Sequence, residues 1–121
     1  MNQTTEPHIE TADLVAIARD ADQRRLAWSA QSEDLNTNLV VLTPGATVEP
    51  HVNREVDVLI VGIDGAGIVI VDGDEQSVRA GEVILIPKGR ARATRAGAER
   101  FAYLTCHRRR AGLWPTVGGR R

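Results

Sequence analysis

Two short runs hold the side chains most able to do chemistry. Gly45 leads through five residues to His51-Val52-Asn53 and then to Asp57, and Gly81 leads through five residues to Pro87-Lys88-Gly89 and then to Arg92. His51 can take and return a proton near neutral pH, and a carboxylate such as Asp57 beside it would orient the ring and raise its basicity. Arg92 offers a fixed cation whose planar fork matches a carboxylate or a phosphate. Asn53 adds an amide that both donates and accepts. His107 closes the run Tyr103-Leu104-Thr105-Cys106-His107. Strand alternation would put Tyr103, Thr105 and His107 on one face and Leu104 and Cys106 on the other, and the pattern leaves open which face is inward. The expected ligand-binding set is therefore His51, Asn53, Asp57, Arg92 and His107, with His51 and Asp57 as the catalytic pair of an enzyme.

The spacing of the two runs resembles the signature motifs of the cupin superfamily. The first family motif is Gly, five residues, His-x-His, three or four residues, Glu, six residues, Gly. The second is Gly, five residues, Pro-x-Gly, two residues, His, three residues, Asn. The resemblance covers about residues 36–107. It implies a small antiparallel barrel with its site in the lumen, and a homodimer. It also implies one metal ion held by both His and the Glu of the first motif and the His of the second. Here His51 matches the first His, while Asn53 stands at the second, Arg92 at the third and Ala96 at the final Asn.

The Glu place falls on Asp57 counting onward from Asn53, and on Val58 counting back from Gly65. A bulge would decide which points inward, since alternation puts Glu55, Asp57 and Leu59 on one face and Val56, Val58 and Ile60 on the other. A guanidinium cannot ligate, and its charge repels a divalent ion. Protein metal sites generally need three or four ligands. No cofactor and no tightly bound metal are expected, a weakly held divalent ion at His51 being the alternative.

These residues need elements to carry them. The stretches Leu26–Trp28, Asn38–Leu42, Val56–Ile63, Ala66–Val71, Val83–Pro87 and Arg100–His107 are separated by Gly, Pro, Asp and Asn. Most are rich in Val and Ile, an all-β signature. Asp64-Gly65 and Asp72-Gly73 tolerate the positive φ that tight hairpins need. Asp13 to Asp20 suits a short helix or a strand. The expected fold is all-β: a single-domain cupin, a double-stranded β-helix or jelly-roll barrel, with a short N-terminal extension. Residues 1–30 would form that extension and the first strand, 31–110 the barrel, and 111–121 a C-terminal tail whose Trp114 could dock on the barrel or on a second subunit. The first nine residues and the tail are expected to be loose.

Composition bounds the remaining readings. A chain of 121 residues suits one core. No run of 18 apolar residues exists, so no membrane partner is expected. The polar start, Met1 to Glu10, lacks an apolar signal core, which makes the cytoplasm the expected location. Cys106 is the only cysteine, which excludes an internal disulfide and a cysteine zinc cluster. Residues 1–87 hold 15 acids and 5 basic residues, whereas residues 88–121 hold 10 basic residues and the single acid Glu99. That split could mark a nucleic-acid surface, but the densest cluster, Arg108 to Arg110, has no interleaved aromatic for stacking. Mixing of distant strands in a barrel would bring the two charge sets together, and no nucleic-acid partner is expected.

The leading functional expectation is a small-molecule-binding cupin that takes a polar or anionic ligand in its lumen. The alternatives are a cofactor-free isomerase, cyclase or lyase with His51 as general base, and a metal-dependent enzyme with an unusual ligand set.

Overall fold

The computed structural model describes residues 9–22 and 25–109. The expectations for the first eight residues, for Arg110 at the end of the barrel, for the tail 111–121 and for Trp114 fall outside them. The elements run α1 (Leu14–Asp20), β1 (Leu26–Gln31), β2 (Leu35–Leu42), β3 (Thr47–Val52), β4 (Val58–Val71), β5 (Asp74–Arg79), β6 (Val83–Ile86) and β7 (Ala91–Arg108). Every strand pairing is antiparallel.

Two long strands organise the barrel. β4 has 14 residues and β7 has 18. They pair first from Leu59↔Cys106 to Gly65↔Phe101 and then from Gly67↔Ala96 to Val71↔Arg92, with one register shift inside the first run at Gly62/Asp64 and one between the runs at Gly65/Gly67. The first run is widened by β2 and β1 on the β7 side and by β6 on the β4 side, and the second is flanked by β3 and β5. The ladder therefore bends across its middle and its two halves face each other, which is the jelly-roll arrangement. Gly67 makes the bend possible, because a Cβ there would collide with the Phe101 ring.

The sequence pattern split β4 in two at Asp64-Gly65, whereas the chain continues through that point as a bulged strand rather than a hairpin. The hairpin sits at Asp72-Gly73, where φ is +51° and +87°. Positive φ at both residues matches the twist of the flanking strands. β3 and β5 had no apolar signature because both lie largely at the surface. β1 pairs with β2 and belongs to the sheet.

Leu42, Val58, Ile60, Val69, Val78, Ile86, Phe101 and Tyr103 fill the space between the two halves. A second cluster lies outside the barrel, where Ala18 and Ala21 of the helical segment cover Leu39, Val41 and Ala102. The segment from Asp13 to Asp20 is thus a helix, capped at its start by Asp13 Oδ1, which accepts from the Ala16 N–H at 3.1 Å. At its end the Arg100 guanidinium donates to the carbonyls of Ala18 and Ala21. Among the described residues no helix is long and apolar enough to cross a membrane.

Candidate functional site

Arg92 and His51 are brought together by strand pairing. β3 runs antiparallel to the first half of β7, and His51 is the register partner of Arg92. Both line a lumen cavity of about 370 Å³, with Arg25, Asn38, Thr94, Tyr103 and Thr105 as its other polar residues. Leu26, Val40, Val48, Ile60 and Ala93 form its apolar wall. Among the described residues no Asp or Glu lines the cavity. The two arginines and the histidine thus share a space with one apolar side.

Each polar group is held by its own element. Arg25 stands at the entry to β1 and donates to the Thr47 carbonyl at 3.0 Å, which ties the start of β1 to β3. Tyr103 Oη and Thr94 Oγ1 lie 2.8 Å apart, linking the two halves of β7 across the lumen. Burial pushes the Tyr103 phenol above its ordinary 10.0, while the Thr94 hydrogen bond and the charges of Arg92 and Arg25 pull it partly back. Both guanidinium charges therefore act on the same phenol. His51 is exposed, and its Nδ1 lies 3.3 Å from the Glu49 carbonyl.

The other three expected site residues stand elsewhere. Asn53 Oδ1 accepts from the N–H groups of Glu55 at 3.0 Å and Val56 at 3.2 Å, an Asx turn that starts the β3–β4 connection. Asp57 Oδ1 accepts from the Lys88 N–H at 2.9 Å, and the Asn53 carbonyl accepts from the Gly89 N–H at 2.8 Å. These bonds join the two motif loops through backbone. Val58, not Asp57, points into the core, being 1% exposed. His51 and Asp57 are not hydrogen-bonded to each other, since each has a different partner. His107 follows Tyr103 and Thr105 along the same face but is not a lining residue. Its Nε2 lies 3.5 Å from Asn36 Nδ2 and its Nδ1 lies 2.9 Å from the Arg108 carbonyl.

These donors do not fit the metal that the motif spacing implies. Asn53 and Asp57 are committed to turns, Arg92 brings a cation to the remaining corner, and among the described residues no group of three His, Cys, Asp or Glu stands close enough to hold an ion. The charge imbalance along the chain is resolved in part by pairing, with Arg90 3.2 Å from Asp72 and Arg95 3.3 Å from Glu75. Arg108 and Arg109 donate to the carbonyls of Glu55 and Ser32, while Arg110 is outside the described residues.

Arg25, Asn38, Thr94 and Thr105 were not singled out as site residues from the sequence. Asn38, Thr94 and Thr105 lie on long strands whose inward face only the register reveals. Arg25 is far in sequence from both motifs, directly before the first apolar stretch, and no sequence signal marked it.

The family model of the cupin domain matches residues 38–106. The chain is similar to dimethylsulfoniopropionate lyase DddW of Ruegeria pomeroyi, 34% identical over 108 residues that cover 80% of this chain and 70% of that protein. Its fold is similar to the structure of TT1209 from Thermus thermophilus, with a TM-score of 0.70, 24% identity and coverage of 83% of this chain and 97% of that one. It is also similar to KdgF from a Halomonas species, with a TM-score of 0.63, 21% identity and coverage of 70% and 78%.

Proposed function

The chain belongs to the cupin family, and we propose on that premise that its lumen binds a small organic anion through Arg92 and Arg25, without a tightly bound metal. The observation that carries this reading is the lining of the cavity, which among the described residues has two guanidinium groups and no carboxylate. Arg25 also donates to the Thr47 carbonyl, which holds its guanidinium at the cavity wall. In a confined space of reduced dielectric, a carboxylate or phosphate is the natural complement to such a field. The apolar wall of Val40, Val48 and Ile60 favours a ligand whose anionic group is attached to a compact hydrocarbon body.

The test is thermal unfolding against a panel of small carboxylates and phosphates. A ligand present at one hundred times its Kd raises stability by about 2.7 kcal/mol. The shift should be lost in Arg92→Ala and reduced in Arg25→Ala. A panel that moves neither the wild type nor the variants would sink the proposal.

A second reading is supported by the similarity to DddW, a protein named for lyase activity on dimethylsulfoniopropionate. Elimination from a propionate requires that its carboxylate be fixed, that a base take the proton beside it, and that the leaving group depart from the next carbon. Arg92 and Arg25 supply the clamp in this reading and His51 the base. Asp57 takes no part, because its carboxylate serves the turn at Lys88. Turnover of a propionate with a leaving group on its β-carbon, lost in His51→Ala and indifferent to chelator, is the expected result. Binding of the same compound without turnover would leave the first reading alone standing.

A further inference from the structure

β7 doubles back across the lumen, and its two arms carry different chemistry. Thr94 of one arm and Tyr103 of the other meet at 2.8 Å. Strand alternation then sets Arg92 against Thr105, each two residues further out on the inward face, and both line the cavity. Arg92 has His51 as its register partner on β3, and the Arg25 guanidinium reaches the same strand at the Thr47 carbonyl. The cationic groups thus gather on the β3 side. Thr105 has Asn38 as its register partner on β2 and Ile60 on β4. The wall that faces the cations therefore presents one hydroxyl and one amide among apolar neighbours. Thr105 is 8% exposed and Asn38 is half-buried. The hydroxyls of Thr37 and Thr94, on the same two strands, bond within the protein. Among the described residues no group bonds the Thr105 hydroxyl or the Asn38 side chain. Buried polar groups are as a rule hydrogen-bonded, so the partner of this pair must come from the lumen.

We propose that Asn38 and Thr105 read a neutral oxygen on the ligand, so that the lumen selects a short hydroxy or oxo acid over a plain carboxylate. The inference rests on the anionic reading of the cavity given above and adds what the far end of the ligand carries. A carboxylate held on the β3 side by Arg92 and Arg25 leaves the rest of the molecule directed at Asn38 and Thr105. Facing sheets stand about 10 Å apart, and an arginine side chain takes up much of that gap. The space left suits an oxygen on the second or third carbon of the acid. Both protein groups donate and accept, so a hydroxyl and a carbonyl serve equally. A second carboxylate does not, because the cations are gathered on the other side. An acid without the oxygen displaces solvent from the pair and leaves it unsatisfied, which costs about tenfold to a hundredfold in affinity. The inference holds whether or not the bound acid is turned over.

Calorimetric titration of the full chain with matched acids tests the proposal, with butyrate set against 3-hydroxybutyrate, and propionate against lactate and pyruvate. The expected result is that at least one oxygenated acid binds tenfold or more tightly than its parent. Thr105→Val, which exchanges a hydroxyl for a methyl at constant shape, should reduce that preference several-fold and change the parent acid's Kd less than twofold. Asn38→Ala should do the same. Thr105→Ser should keep the preference, and circular dichroism should show the same barrel in all three variants. Arg92→Ala, by contrast, should weaken every acid. Equal affinity for parent and oxygenated acids overturns the inference and leaves the anionic reading standing, whereas no binding by any acid removes both. Succinate binding more tightly than 3-hydroxybutyrate overturns it, since the far wall would then accept a charge. A preference that survives Thr105→Val combined with Asn38→Ala overturns it equally, because the oxygen would then be read elsewhere.

Discussion

Tyr103 is the only tyrosine in the chain, so its ionisation can be followed at the phenolate absorbance without interference. It is 3% exposed, and its pKa is raised above 10.0, first by burial and against the pull of Thr94, Arg92 and Arg25. The folded protein therefore keeps this proton to higher pH than the unfolded chain. The stability contributed by the neutral phenol is complete below pH 10 and is lost as pH rises through the folded value. Denaturant unfolding between pH 9 and 11 should show that decline, and Tyr103→Phe should flatten it. The variant should also lose about 1–3 kcal/mol at neutral pH, because Thr94 loses its partner in a buried place. Parallel declines in the two proteins would mean that another group titrates. At this scale the sequence was legible where a motif fixed the position. His51 and Arg92 were expected in one lumen, and strand register makes them neighbours. Asn53 and Asp57 have equally suitable side chains, but backbone N–H groups in the adjoining turns take them, a competition that motif spacing does not reveal.

The bend shared by β4 and β7 rests on the contact between Gly67 and Phe101. Gly67→Ala should destabilise the barrel by about 1–3 kcal/mol, since the ring is fully buried and cannot withdraw without opening the core. Gly97 has open space where its Cβ would stand, so Gly97→Ala is the control and should change the urea midpoint little. Equal losses at the two positions would refute the close-approach account. α1 makes a different case. With seven residues it is too short to persist alone, and its last turn depends on Arg100. Arg100→Ala should release the helical segment at a cost of about 1–2 kcal/mol, measured as faster amide exchange in α1 than in β4. The motif glycines were legible because they do backbone work, Gly45 and Gly81 having φ of +79° and +88°. The long strands were not, because Asp64-Gly65 has the composition of a turn and only its pairing with β7 shows it to be a bulge. β5 was missed because an edge strand with one buried residue, Val78, has almost no apolar period to read.

Over the whole molecule, β4 and β7 belong to both halves of the barrel, and this sharing governs how it unfolds. The second half cannot open while the first stays intact without breaking β4 and β7 in mid-strand at the bend, where Gly67 meets Phe101. The exposed ion pairs Arg90–Asp72 and Arg95–Glu75 tie surface strands together but contribute only about 0–1 kcal/mol each, so salt should shift the unfolding midpoint little. Cooperativity must come instead from the common core of Leu42, Val58, Ile60, Val69, Val78 and Phe101, which draws on both halves. Native-state hydrogen exchange with increasing denaturant should accordingly bring the amides of Leu59–Val61 and those of Val69–Val71 to one global opening free energy. β1, whose only strand partner among the described residues is β2, should exchange through smaller openings. If Val69–Val71 exchanged at a lower free energy than Leu59–Val61, with its own denaturant dependence, the two halves would be separate cooperative units and the shared-strand account would fail.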